Sequence, residues 1–181
     1  KSRVSRMEEG IEIVRKLFTE EEVTYEGKYY KLNKVRLEPR PVTKPAPVIW
    51  IAANPRPING DASTIQRSIR RTARLADGWM TTWLSAESFR ARWTELQAAL
   101  REEGRDVDSF DNSLYYNVNI NDDREAAAEE SKRFLDAYYG FDISRQDLDL
   151  WVGYGSPKEG IEKIQSFIDA GAQEITFPLT G

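Results

Sequence analysis

The stretch VIWIAANPRPINGDAST, residues Val48–Thr64, decides how the fold of this chain is interpreted. Its first six residues are apolar and rich in β-branched and aromatic side chains, which predicts a buried strand over 48–53. Asn54, two prolines and a glycine then break the pattern before a helix begins. Two alanines and an asparagine at the end of a core strand either allow tight packing or form one edge of a binding site.

Composition narrows the chemistry and the partners of the chain. Its 181 residues are 40% hydrophobic and 31% charged, which is typical of a globular domain. It has no cysteine and no histidine, so a reaction must use carboxylates, hydroxyls, a cofactor or another chain, and we expect no metal site. The net charge of −4 and the lack of a long apolar run predict a cytoplasmic protein without nucleic-acid or membrane partners.

The first 47 residues are predicted to form a helix, a hairpin and a connector that precede the main fold. Apolar residues recur at helical spacing over 1–18, which predicts an amphipathic helix. The segment 19–47 begins with two β-prone runs around Glu26 and Gly27, which predict a hairpin. Four prolines follow and favour an extended connector, because proline fits neither a helix interior nor a central strand.

Strands and helices alternate over 48–181. The predicted strands cover 48–53, 79–83, 113–120 and 174–180, and the predicted helices cover 64–76, 85–104, 124–139 and 156–171, the last opening with a capping box. This alternation implies parallel strands joined by right-handed crossovers. An eightfold barrel needs about 250 residues, so the α/β chain forms one partial domain, either half of such a barrel or a small open sheet.

Small residues where the first strand ends would let a ligand approach the backbone, and the following helix offers N–H groups to an anion. Ser63 and Thr64 stand where that helix begins and can add hydroxyl donors. By residue chemistry alone the simpler explanation is packing, with Ala52 and Ala53 fitting a tight core and one hydroxyl capping the helix.

Two further pairs of polar residues belong to predicted strands. Thr81 and Thr82 end the second strand, where parallel α/β folds place their ligands, although threonine is also a common strand residue. Asn117 and Asn119 alternate with apolar residues on the third strand, and their buried amides need either a ligand or partners inside the protein. The sequence leaves both alternatives open.

Three other features are interpreted as structural. The glycines of 153–155 lack a dinucleotide-binding pattern and predict a loop. The arginines of 67–74 are expected on the solvated face of a helix, and the carboxylates of 102–111 and 122–130 match no metal-ligand spacing.

The order of several segments resembles the bacterial-luciferase-like oxidoreductases, which use flavin or deazaflavin. These segments are RMEEGIEIVRKLFTEEEVTYEGKYYKL, VRLEPRPVTKPAPVIWIAAN, RRTARLADGWM, SAESFRARWTELQAALREEGRD and SPKEGIEKIQSFIDAGAQEITF. The resemblance implies a (β/α)8 TIM-barrel fold, with 48–53, 79–82, 113–120 and 174–180 as strands five to eight. The chain would then be the C-terminal half of a barrel, beginning in the helix after strand four.

The resemblance also implies a cofactor, FMN, with the deazaflavin coenzyme F420 as the alternative. Family phosphate contacts carry over to Ala53, Asn54, Ser63, Thr64, Trp79, Thr81 and Thr82. Many relatives have two glycines where this chain has Ala52 and Ala53, whose methyl groups limit how near a phosphate can come. Catalytic residues of the family lie in the first half of the barrel and have no counterpart here.

The implied function is that of a flavin-dependent monooxygenase acting on a small organic substrate with reduced FMN and dioxygen. The alternatives are an F420-dependent reductase or dehydrogenase, and a non-catalytic half-barrel stabilised by self-association or by a partner. We expect a homo-oligomer or a missing N-terminal half, and little or no activity from the 181 residues alone.

Overall fold

The computed structural model describes residues 2–54 and 61–178. It contains two compact units, Lys1–Ile49 and Trp50–Gly181. The predicted loop over 55–60 and the last three residues of the chain lie outside the described residues.

The first unit is a helix with a hairpin, as predicted. Helix α1 (Ser2–Thr19) precedes strands β1 (Val23–Glu26) and β2 (Lys31–Val35), which pair antiparallel. The Glu9 carboxylate accepts the backbone N–H groups of Tyr29 and Tyr30 at 3.0 Å. This carboxylate therefore fixes the hairpin turn against α1.

The second unit contains the parallel strands. Its elements are β3 (Trp50–Ala52), α2 (Ala62–Leu75), β4 (Gly78–Thr81), α3 (Ala86–Glu102), β5 (Asp111–Tyr115), β6 (Asn117–Ile120), α4 (Arg124–Tyr139), α5 (Arg145–Trp151), β7 (Val152–Gly155), α6 (Pro157–Asp169) and β8 (Glu174–Thr176). Strands β3, β4, β5 and β8 form one parallel sheet in that order, while β6 and β7 form a second parallel pair. The order of the four-stranded sheet agrees with four successive strands of a barrel.

The predicted strand over 113–120 is in fact two strands. It breaks at Tyr116, whose N–H still donates to the Thr176 carbonyl at 3.0 Å. The residues before the break belong to the four-stranded sheet, and those after it pair with β7. One continuous stretch of chain therefore serves both sheets.

The prediction of a loop over 153–155 is wrong, because Val152–Gly155 is strand β7. A Cβ atom on Gly153 would lie 3.2 Å from the Tyr116 ring, so the missing side chain makes room for a neighbour. The adjacent Tyr154 ring has the guanidinium groups of Arg124 and Arg145 at 4.6 and 5.1 Å from its centroid. These two cations tie β7 to α4 and α5.

One face of the four-stranded sheet carries the main aromatic core. Trp79 of β4 stacks on Phe89 and Trp93 of α3, with ring centroids 5.3 and 6.4 Å apart. Phe89 also meets Phe167 of α6 edge-on. The helices therefore cover this face of the sheet, while the carboxyl ends of its strands form one edge of it.

Candidate cofactor site

The carboxyl ends of β3 and β4 meet at one edge of the sheet. Ala52 is the register partner of Met80, and the Ala53 N–H continues the ladder to the Met80 carbonyl at 2.9 Å. Thr81 and Thr82 follow directly after Met80. The structure thus brings most of the predicted cofactor residues to one edge.

Two of these residues, Ala53 and Trp79, already use their polar groups in hydrogen bonds within the protein. The Ala53 N–H donates to Met80, and its carbonyl accepts the Trp79 indole N–H at 2.8 Å. The Trp79 side chain is 2% exposed and packs under α3. Asn54 is half-buried and is the last residue described before the gap at 55–60. Ala53 and the Trp79 side chain thus retain no free polar group for a phosphate.

The two threonines differ in their surroundings. Thr82 donates its hydroxyl to the Tyr115 carbonyl at 2.8 Å and so ties the end of β4 to β5. Thr81 is 3% exposed, and its Oγ1 has no hydrogen-bond partner among the described residues. A buried hydroxyl without a partner costs about 1–3 kcal/mol. Thr81 is therefore the polar side chain here that most needs a further partner.

The start of α2 holds a compact polar cluster, which we call the α2 cluster: Asp61, Ser63, Thr64 and Arg67. Asp61 is the N-cap, and its carboxylate accepts the Thr64 N–H and the Ser63 hydroxyl, both at 2.8 Å. The expectation that Ser63 or Thr64 caps the helix is thus wrong. The cause is that α2 begins earlier than predicted, which places both hydroxyls within its first turn.

Arg67 completes the α2 cluster. Its guanidinium donates to the hydroxyl oxygens of Ser63 and Thr64, each at 2.8 Å. The sequence assigned this arginine to the solvated face, and it is exposed, but it turns back toward the helix start. The signal that could have located it is the i, i+3 and i, i+4 spacing to the two hydroxyls.

The charges of the α2 cluster oppose each other. The Thr64 N–H, followed by the hydroxyls of Ser63 and Thr64, holds the pKa of Asp61 below its ordinary value. Its negative charge therefore sits where an incoming anion would bind. Arg67 and the remaining N–H groups of the first turn attract the same anion. A phosphate fits this site if it competes with the chain's own carboxylate.

A second feature lies beyond the carboxyl end of β5. A cavity of about 580 Å³ separates β6 from one side of α4, and we call it the β6–α4 groove. Its lining residues are Asn117, Val118, Asn119, Ile120, Glu130, Ser131, Arg133, Phe134, Leu135, Ala137 and Val152. This groove could not be predicted from the sequence, because its α4 residues follow an ordinary amphipathic pattern.

The two asparagines predicted to need partners border this groove. Asn117 donates to the Trp151 carbonyl at 3.3 Å. Asn119 donates to the carbonyl of Ala127, to Glu130 and to the Ser131 hydroxyl at 3.0–3.2 Å. Their amide nitrogens are thus satisfied within the protein, which is one of the two alternatives left open by the sequence.

An aromatic stack supports the groove from the side of β4. The Trp83 ring lies parallel to that of Trp151 at 4.4 Å, and its indole N–H donates to Asp147 at 3.0 Å. Trp83 has φ of 60°, a left-handed conformation that is uncommon without glycine. This strained residue follows Thr82 directly and connects the carboxyl end of β4 to Asp147 of α5.

The remaining expectations concern partners and metals. No group of acidic residues able to hold a metal ion occurs within residues 2–54 and 61–178. None of the helices among these residues combines the length and apolar character needed to cross a membrane.

Comparison with known proteins identifies the family. The family model described as luciferase-like monooxygenase matches residues 1–174. The chain belongs to this family. It is similar to an F420-dependent glucose-6-phosphate dehydrogenase of Nakamurella multipartita, at 30% identity over all of this chain and 56% of the relative. The chain spans about half the length of the curated relatives it matches.

Solved structures of luciferase-like enzymes agree with the fold. An F420-dependent secondary alcohol dehydrogenase superposes with a TM-score of 0.80 at 15% identity, covering 97% of this chain and 56% of that protein. A monooxygenase from Streptomyces bottropensis superposes with a TM-score of 0.77 at 23% identity, covering 98% and 54%. The prediction of a partial TIM-type barrel is therefore confirmed.

Proposed function

We propose that this luciferase-like chain contributes the cofactor-phosphate side of an oxidoreductase that uses coenzyme F420. The α2 cluster carries the proposal, because it combines a helix N-terminus, two hydroxyls and a guanidinium beside the carboxyl ends of parallel strands. The name of the curated relative supports F420, the alternative cofactor, over FMN, the cofactor that the family resemblance implied first. When bound, such a coenzyme supplies hydride transfer.

The chain's own residues have distinct proposed roles. Arg67 and the first-turn N–H groups of α2 hold the phosphate, with Ser63 and Thr64 orienting the guanidinium. Thr81 gains a partner for its buried hydroxyl, and Thr82 and Trp79 position the strand end. Asn54 borders the same edge, and Ala53 limits how closely the phosphate approaches the backbone.

A titration with cofactor tests this proposal. F420 and FMN would be added separately to the 181-residue chain at matched ionic strength, with binding followed by cofactor fluorescence. We expect F420 to bind more tightly, and Arg67→Gln to weaken it about tenfold, because charge-assisted hydrogen bonds are lost. Arg70→Gln, an exposed arginine of the same helix, is the matched control. Equal effects of the two variants would contradict the phosphate role of Arg67.

Two other functions remain candidates for specific reasons. Flavin-dependent monooxygenation is supported by the family description and by the Streptomyces fold relative, and it predicts tighter binding of FMN than of F420. A self-associating half-barrel is supported by β3 and β8, which each pair on one side only among the described residues. Sedimentation of the chain distinguishes this case, and tight 1:1 cofactor binding by a monomer would rule it out.

We also propose that the chain alone has weak activity or none. Four strands of a closed sheet leave the rest of a barrel rim to be provided by other residues. Robust F420- or FMN-dependent turnover by the isolated 181 residues would contradict this.

A further inference from the structure

We infer that the β6–α4 groove binds the second reactant, an organic anion with an apolar body. The inference rests on the proposed function, because it needs a cofactor at the neighbouring strand ends. The groove lies beyond the end of β5, and parallel α/β folds bind their ligands at that end of their strands. Its volume of about 580 Å³ is within the range of small-molecule sites.

The walls of the groove indicate an apolar body. Phe134 and Ile120 are 39% and 48% exposed, although both side chains line the groove. Val118 and the buried Val152 also line the groove. A ligand that covers these side chains would remove apolar area from water, which is the main source of affinity in such sites.

The charges of the groove indicate the sign of the ligand. Arg133 lines the groove and makes no hydrogen bond or ion pair with any other described residue. Glu130 lines it too, but its carboxylate accepts the Asn119 amide at 3.0 Å. The guanidinium therefore has its donors available for a carboxylate or phosphate. Glu130 keeps its negative charge, so it opposes the anion while Arg133 attracts it.

The edge of β6 gives the ligand its polar contacts. Among the described residues β6 pairs only with β7, so its other edge retains backbone donors and acceptors beside the groove. Trp151, 3% exposed and directly before β7, belongs to the same buried cluster as Val152 and Leu135, which both line the groove. The groove is thus built on a supported strand rather than on a loop.

Amide NMR spectra of the 181-residue chain test the inference. Hexanoate, hexanol and glucose 6-phosphate would be titrated in parallel, so that charge and apolar body are varied separately. We expect hexanoate to shift the signals of 117–120 and 130–137 and to bind at least threefold more tightly than either other compound. Shifts elsewhere, or a preference for glucose 6-phosphate or hexanol, would overturn the inference.

Two variants with opposite expected effects sharpen the test. Arg133→Gln should weaken hexanoate binding about fivefold, and Glu130→Gln should strengthen it about twofold, as for partly exposed charge pairs. Glutamine keeps the acceptor for Asn119, so Glu130→Gln changes charge with little change in structure. Arg101→Gln, an exposed arginine of α3, is the control and should change nothing.

The result for the groove is separable from the result for the cofactor. Hexanoate binding that depends on Arg133, in a chain that binds neither F420 nor FMN, would support the groove and contradict the proposed function. Cofactor binding without any hexanoate shift at millimolar concentration would contradict the groove alone. An unchanged hexanoate affinity in Arg133→Gln would refute the anionic part of the inference.

Discussion

The α2 cluster and the β6–α4 groove follow two different strands of the same sheet, β3 and β5, and they differ in what a ligand must displace on binding. In the α2 cluster the four side chains already satisfy one another, and a carboxylate occupies the helix start. In the groove a cavity is open and Arg133 has no partner among the described residues. Binding at the first site must proceed by exchange of hydrogen bonds, whereas binding at the second site needs none.

The largest effect is expected on stability, from a substitution in the buried core beside the groove. Trp151→Ala should lower the free energy of unfolding by about 3–5 kcal/mol, because it removes a buried ring stacked on Trp83. Urea unfolding would measure this loss. Tyr138→Ala, at 69% exposed, is the aromatic control and should cost little. A small loss for Trp151→Ala would mean that the stack does not support the groove.

The next effect concerns the buried hydroxyl of Thr81. Thr81→Val should raise the free energy of unfolding by up to about 1 kcal/mol, since it removes a polar atom without a partner. The same variant should weaken cofactor binding if the hydroxyl contacts the ligand. Thr72→Val is the matched control. Thr72 donates its hydroxyl to the Ser68 carbonyl at 3.0 Å, so this variant should lower the free energy of unfolding. Destabilisation of both variants would show that Thr81 has a structural partner.

A smaller effect tests whether the Asp61 carboxylate competes with a phosphate that binds at the α2 cluster. Asp61→Asn keeps an N-cap side chain but removes the competing charge, so the affinity for F420 should rise about threefold. The cofactor titration measures it, and helicity by circular dichroism checks that the cap is retained. A lower affinity would mean that the carboxylate helps to organise the site.

The smallest effect is on pH dependence. Because the pKa of Asp61 is lowered on folding, its contribution to stability is present above the unfolded value of about 3.9 and is lost as pH falls through the lower folded value. The stability difference between the wild type and Asp61→Asn should therefore shrink from pH 6 to pH 2. A difference independent of pH would show that the carboxylate is not held ionised by its neighbours.

Much of the fold could be predicted from periodicity. The Ser156 capping box begins α6 as expected, with the Glu159 carboxylate accepting the Ser156 N–H at 2.8 Å. Strand β7 was missed because Gly153 lies in a strand through its pairing with Val118 of β6, which comes from another part of the chain, and the Tyr116 ring fills the space beside it. Local pattern cannot report a contact of this kind.

The candidate site was predicted less completely than the fold. The family resemblance led to residues 63 and 64, but the true cap, Asp61, lies before the apolar stripe that marked the helix. The groove depends on where α4 leaves β6 uncovered. Spacing within α4 shows which residues share a side, although it does not show that a cavity lies against it.

The break at Tyr116 gives one stretch of backbone two sets of neighbours. Its residues before the break exchange hydrogen bonds with β4 and β8, and those after it with β7. An opening of either sheet must therefore release part of the same strand. Amide hydrogens of β5 and β6 should therefore exchange with solvent deuterium at similar rates, because opening one strand loosens the other through Tyr116.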